Sequence, residues 1–211
     1  MLSIKTIILD IGGVLINIHP EKTLNFFENI TELSINQLQE SIIWDIYYQY
    51  EIGKLDNPQF YSAINNLFPE EKKISEGDFW RGWKLLLGEQ TRVVNLLTNL
   101  YETMPIWLLS NTNPWHIQYL KSCSEYYFHK FITGAIYSYD VGYRKPDKTI
   151  YNLTMEKIGI SGEEILFIDD DQGNVKAANE IGINAIVYEG MEKLIASLAK
   201  FKISENNYLI N

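Results

Sequence analysis

The sequence predicts an α/β fold: a Rossmann-like parallel sheet covered by helices, with a block of helices inserted after the first strand. Two features predict it. Short apolar runs alternate with helical patterns from about Ile106 onward, and the long stretch from about His19 to Gly88 has helical character without a strand signal.

The expected strands are Ile4–Leu9, Ile106–Leu109, Ile132–Tyr137, Ile165–Ile168 and Ala185–Tyr188. Each is a short, continuous run rich in β-branched or aromatic residues, the pattern of strands buried on both faces of a parallel sheet. Helices are expected between them. Val93, Leu96, Leu97, Leu100 and Tyr101 keep a helical period, and Pro114 opens a helix that Asn113 can cap. A helix after Pro146, with Asp147 near its cap, carries the stripe Ile150, Tyr151, Thr154 and Ile158 and ends at Gly159. Val175, Ala178 and Ile181 stripe a further helix that Gly182 closes.

The domain division follows: a core from residues 1–17 and 90–211, interrupted by a helical segment over 18–89. That segment is dense in aromatics, including Phe26, Phe27, Trp44, Tyr47, Tyr48, Tyr50, Phe60, Tyr61, Phe68, Phe79, Trp80 and Trp83. They are expected to form its own core rather than a ligand cage.

At 211 residues and 46% hydrophobic, the chain can bury a substantial core without help from disulfides or metals. The formal charge of −9, with no basic run, argues against nucleic acid and anionic membranes as partners. The apolar stretch before Asp10 is too short for a signal peptide, no run reaches the length of a membrane span, and Cys123 is the single cysteine. The expected location is cytoplasmic, and the expected state a monomer or weak dimer.

Chemistry is sought at the carboxyl ends of the strands, where open parallel sheets gather their ligands. The first strand ends in Asp10, followed by Ile11-Gly12-Gly13-Val14, where glycines let a ligand approach both carboxylate and backbone; a turn aspartate is the alternative. The second ends in Ser110-Asn111-Thr112-Asn113, suited to an anion or simply to helix capping. The third leads to Lys145, held extended before Pro146 and able to be aimed at an anion, or to lie free on the surface. The fourth ends in Asp169-Asp170-Asp171, with Asn174 close behind. Adjacent carboxylates repel unless a cation or a lysine neutralises them, and an all-oxygen set suits Mg²⁺.

Taken together and in this order, these residues resemble the four motifs of the haloacid dehalogenase-like hydrolases, and the insertion resembles the C1 helical cap of that family. The stretches around Ser110, Lys145 and Asp169 look most like the bacterial α-D-glucose-1-phosphate phosphatases. The resemblance implies a Mg²⁺-dependent phosphatase acting on a small phosphate ester, such as a sugar phosphate, through an aspartyl-phosphate. It makes Asp10 the nucleophile, and Asp10, the Gly12 carbonyl and Asp170 the metal ligands. Ser110, the Asn111 amide and Lys145 would hold the phosphoryl oxygens, with Asp169 and Asn174 behind them.

One position departs from the family pattern. Most of these phosphatases carry an acidic residue two places after the nucleophile, and this chain has Gly12. Three explanations follow: a good leaving group such as an anomeric or acyl phosphate, an acid supplied from the cap, or loss of catalysis. A 2-haloacid dehalogenase also lacks that acid but has no use for Asp169 and Asp170. A phosphate-binding protein without turnover would not need to retain Asp10, Lys145 and Asp170 together.

Overall fold

The computed structural model describes residues 3–33 and 41–203. The parts of the expected core and insertion that fall on residues 1–2, 34–40 and 204–211 lie outside the described residues.

Five parallel strands form the central sheet: β1 (Thr6–Leu9), β4 (Ile106–Ser110), β5 (Gly134–Tyr137), β6 (Ile165–Asp169) and β7 (Asn184–Val187), in the order β5-β4-β1-β6-β7. All five are the strands the apolar runs predict, with ends displaced by one or two residues. β1 lies at the centre. Ile7 sits opposite Ile106 of β4 and Leu166 of β6, so three strand tips meet at one edge. Ile7, Leu9, Leu108, Leu166 and Ile168 bury one sheet face against α5 (Val93–Leu100) and α10 (Met191–Lys200). Ile8, Leu109, Ile136 and Phe167 bury the other against α8 (Lys148–Ile158) and α9 (Gln172–Glu180). Nothing in the sequence reading anticipated α10.

The helix ends follow the local chemistry. Asp147 accepts from Thr149 N at the start of α8, and Gly159 ends that helix in the left-handed conformation (φ 74°). Asn113 caps α6 (Pro114–Ser122) by accepting from His116 N. Two stripe residues fall just past their helices: Tyr101 is the exposed C-cap of α5, and Ile181 is the C-cap of α9.

The insertion departs from expectation at its roots. Where the sequence shows no strand between Leu9 and residue 105, a short antiparallel ribbon forms from β2 (Ile16–Ile18) and β3 (Leu87–Gln90), pairing Ile16 with Gln90 and Ile18 with Leu87. At three and four residues, with Asn17, Gly88 and Glu89 inside them, these strands lack an apolar run to reveal them. Gly88 is needed for the close approach: a Cβ there would lie 2.7 Å from His19 Nε2.

Beyond the ribbon come α1 (Pro20–Thr31), α2 (Ser41–Glu51), α3 (Asn57–Asn65) and α4 (Glu76–Lys84). Phe27, Tyr50, Phe60, Phe68 and Phe79 are buried together, and Tyr50 stacks on Phe60 at 4.0 Å. Trp44 and Tyr48 are exposed instead. The aromatics therefore do form a core, as expected. They also line a cavity of about 290 Å³ within it.

Candidate active site

Asp10, Ser110 and Asp169 stand at the tips of the neighbouring strands β1, β4 and β6, so the sheet itself brings the sequence motifs together. Asp10 N donates to Ile168 O (3.0 Å), which continues the ladder one residue past β1. Its carboxylate accepts at Oδ1 from Ile11 N (2.7 Å) and lies 3.1 Å from Lys145 Nζ.

Lys145 is buried, which a lysine tolerates only when paired. Its ammonium donates to Asp169 Oδ2 (2.5 Å) and Leu109 O (2.9 Å) besides meeting Asp10. Burial alone would pull its pKa down, but the Asp10 and Asp169 carboxylates outweigh that and hold it above the usual lysine value. The ammonium is therefore a fixed positive charge. Its backbone is held as firmly. Lys145 N donates to Asn111 Oδ1 (2.8 Å), and Asn111 Nδ2 donates back to Lys145 O (2.9 Å). The Asn111 side-chain amide, expected to meet a phosphoryl oxygen, is engaged in aiming Lys145. Asn111 can offer such an oxygen its backbone N–H.

Asp169 is fully buried and accepts from Lys145, Asn174 Nδ2 (3.1 Å) and Asp171 N (2.8 Å). Asn174 thus sits behind Asp169. Asp170 is exposed, but its carboxylate turns toward the loop after β1. Asp10, Asp169 and Asp170 each present an oxygen within 4.8 Å of the others. Burial pushes the Asp10 carboxyl up to about 6, Lys145 pulling the other way and Asp169 adding to the rise. Burial and then Asp169 likewise push Asp170 up. With every group ionised, three carboxylates against one ammonium leave two negative charges in one small volume. A divalent cation matches that deficit, and oxygen donors without nitrogen or sulfur suit a hard ion.

Gly13 is part of this site in a way the motif alone does not reveal. Its φ is +73°, and a Cβ would lie 2.1 Å from Asp170 Oδ2, so only glycine lets that carboxylate close onto the loop after β1. A Cβ on Gly12 would lie 3.3 Å from Ile18 Cγ2, so the ribbon adjoins the position where family members carry their acid.

Ser110 is buried and its Oγ makes a 3.5 Å contact with Asn111 O, too long to satisfy a hydroxyl. The loop after it is braced by Ser138 at the start of α7 (Ser138–Val141). Thr112 N donates to Ser138 Oγ (2.9 Å), and that hydroxyl donates to Thr112 O (3.1 Å). No sequence pattern singles out Ser138.

Two further contacts join insertion and core. His116 Nδ1 pairs with Asn113 Nδ2 (2.9 Å) and Nε2 with Trp83 O (3.2 Å), while its ring stacks on the Trp83 indole at 5.4 Å. Burial pushes His116 down to about 4, so the ring is neutral. The other contact was not foreseen. Glu51, at the end of α2 and 3% exposed, meets Arg144 Nη1 at 3.2 Å, one residue before Lys145. Burial pushes the Glu51 carboxyl up against the opposing pull of Arg144 and the Tyr47 hydroxyl. Gly53 (φ 71°) permits this approach, since a Cβ there would lie 2.1 Å from Tyr139 O.

His19 caps the entry to α1 and faces Glu21 and Glu89, Arg81 pairs with Asp78 on the surface, and Cys123 is the C-cap of α6.

A sheet carrying these four motifs at its tips, beneath a helical insertion, belongs to the haloacid dehalogenase-like hydrolases, and the chain matches that family over residues 4–182. Among relatives, the D-ribitol-5-phosphate phosphatase of Bacteroides thetaiotaomicron is 25% identical over 187 residues, covering 85% of this chain and 89% of that protein. The sesquiterpene phosphatase astK of Aspergillus oryzae is 26% identical over 180 residues, covering 85% and 87%. A HAD-family enzyme of B. thetaiotaomicron in complex with magnesium and inorganic phosphate superposes with a TM-score of 0.80 at 27% identity, over 91% of this chain and 99% of that one. An L-2-haloacid dehalogenase of Xanthobacter autotrophicus, at 17% identity and a TM-score of 0.63 over 97% and 86%, shares the fold.

Proposed function

We propose that this hydrolase is a Mg²⁺-dependent phosphatase that cleaves a small phosphomonoester through an aspartyl-phosphate on Asp10. One observation carries the reading: Asp10, Asp169 and Asp170 converge within 4.8 Å around a site that also contains Lys145. The same carboxylates argue against a dehalogenase, because a haloacid carboxylate would be repelled there.

Asp10 attacks phosphorus; the new P–O bond forms as the bond to the ester oxygen breaks, and the departing alkoxide takes its proton from water. Water then attacks the aspartyl-phosphate, releasing inorganic phosphate and restoring the carboxylate. The Ile11 N–H and the Lys145 ammonium fix the rotation of the Asp10 carboxylate before attack. Lys145, the Ser110 hydroxyl and the Asn111 N–H hold the phosphoryl oxygens where charge grows. Asp169 keeps Lys145 charged and aimed, and Asn174 keeps Asp169 in place. Asp10, the Gly12 carbonyl and Asp170 would hold the Mg²⁺, which would cancel charge between the approaching anions when bound. Residues 18–89 act as a cap over residues 1–17 and 90–211.

General acid help is worth about 10²–10⁴ in rate, and Gly12 supplies none. Phosphates whose alcohol leaves without it, anomeric sugar phosphates such as α-D-glucose-1-phosphate and acyl phosphates among them, are accordingly favoured. The relatives include a D-ribitol-5-phosphate phosphatase and a sesquiterpene phosphatase, so similarity supports a small phosphomonoester and leaves its alcohol open.

The test is phosphate release from α-D-glucose-1-phosphate, acetyl phosphate and unactivated alkyl phosphates, with Mg²⁺ and with EDTA. Metal-dependent release, abolished in a folded Asp10→Asn variant, is the expected result. Silence across the panel, or full activity in Asp10→Asn, overturns the reading.

A further inference from the structure

Among the described residues, the aromatic side chains of the cap border an unfilled apolar cavity. This cavity of about 290 Å³ is walled by apolar side chains from the four described helices of the cap, among them Leu24, Phe27, Ile43, Ile64 and Phe79. Trp44 on its wall is exposed, so the cavity opens to solvent on one side and can admit a ligand. Polar groups are scarce in its wall. The Thr23 hydroxyl is already committed to Gly82 O (3.1 Å). Trp83 contributes a buried indole N–H that has no acceptor among the described residues.

The cavity adjoins the phosphoryl site along two walls. Ile18 lines it, and its Cγ2 lies 3.3 Å from where a Gly12 Cβ would stand. Trp83 lines it as well and rests on His116, three residues past the Asn113 cap of the loop that carries Ser110. Ile18 is thus shared between the wall of the cavity and the surroundings of Gly12, the position where family members carry the acid that serves the leaving alcohol.

We infer that this cavity receives the apolar body of the substrate, so that the preferred substrates are phosphate monoesters of apolar alcohols rather than of polyhydroxy sugars. A sugar would place several hydroxyls against a wall with almost nothing to pair them, each at a desolvation cost. An aliphatic body loses no hydrogen bond there. The inference rests on the phosphatase reading and concerns the leaving alcohol: without an acid at Gly12 all n-alkyl esters leave slowly alike, so the cavity is read from the trend with chain length within that series.

The experiment is kcat/KM for a series of n-alkyl phosphates of increasing length, measured with Mg²⁺ beside acetyl phosphate and α-D-glucose-1-phosphate. Each methylene buried in the cavity should raise kcat/KM by about four-fold, until the cavity is full and the values level off. Ile64→Trp, which fills part of the space, should bring the plateau to shorter chains. Leu24→Trp serves the same end if that variant does not fold. Efficient hydrolysis with no dependence on chain length, or a plateau unmoved by the cavity-filling variant, overturns the inference and leaves the phosphatase reading standing. Alkyl phosphates that quench tryptophan fluorescence more strongly with length, yet release no phosphate along with the rest of the panel, uphold the cavity and overturn the phosphatase reading instead.

Discussion

Gly13 shows how much of the site's chemistry depends on an absent side chain. A left-handed backbone costs a non-glycine residue about 1–2 kcal/mol, and the Asp170 carboxylate occupies the place of the missing methyl. Gly13→Ala should therefore fold with a melting temperature lowered by roughly 2–8 °C. It should also displace Asp170, so that turnover falls at least about ten-fold and half-activation needs more Mg²⁺. A titration of activity against Mg²⁺ decides this; an unchanged activation curve would mean that Asp170 does not hold the cation beside Gly13. Asn111 makes a related point. Its side chain looks like a ligand for phosphate in sequence and turns out to clamp the backbone of Lys145.

Among the elements, α6 ties the site to the cap, and its His116 is a neutral histidine held inside. In the unfolded chain it would protonate near pH 6.5, whereas in the fold its value is pushed down to about 4. The unfolded state thus binds more protons between those values, and stability falls with pH across that window, by on the order of 3 kcal/mol in all. Below about pH 4 both states are protonated and this loss stops growing. Urea melts from pH 7 to pH 4 on the protein and on His116→Gln should show the variant losing less stability across the window. Parallel pH profiles would refute the assignment.

Element by element, what the sequence reveals is what hydrophobic burial dictates. The five sheet strands and the helices capped by Asn113, Asp147 and Gly159 announce themselves through apolar runs and end signals. The tips of those strands then deliver Asp10, Ser110 and Asp169 to one edge. The β2–β3 ribbon is silent because it pairs only a few residues and leaves Ile18 half exposed. Ser138 and Glu51 are equally silent. Their partners lie 26 and 93 residues away in the chain, and no local pattern encodes a contact of that kind. The Gly-Gly pair was visible, but its meaning at Gly13 comes from Asp170 approaching from another strand.

At the scale of the molecule, the Glu51–Arg144 pair is a clasp between the cap and the segment that presents Lys145. Removing one partner of a buried pair leaves the other charge without compensation, at about 3–5 kcal/mol; with Arg144 partly exposed, the lower end applies. Arg144→Met should cost about 3 kcal/mol in chemical denaturation, and Glu51→Gln added to it should recover a good part of that loss. Strict additivity of the two substitutions would show that the clasp carries no coupling.

The ribbon has a consequence for how such an enzyme could change its taste. The chain leaves the core along β2 and returns along β3, and the two strands are rungs of one ladder, with Ile18 opposite Leu87. Paired residues in such a ladder stand about 5 Å apart, so the chain enters and leaves the helical insertion through one narrow doorway. A different insertion with ends equally close could be spliced in at that doorway with Asp10 and Asp169 in place, provided that it replaced the clasp Glu51 makes beside Lys145. Cap and phosphoryl chemistry are thereby built as interchangeable parts, and lineages can trade one cassette for another while the reacting atoms stay where they were.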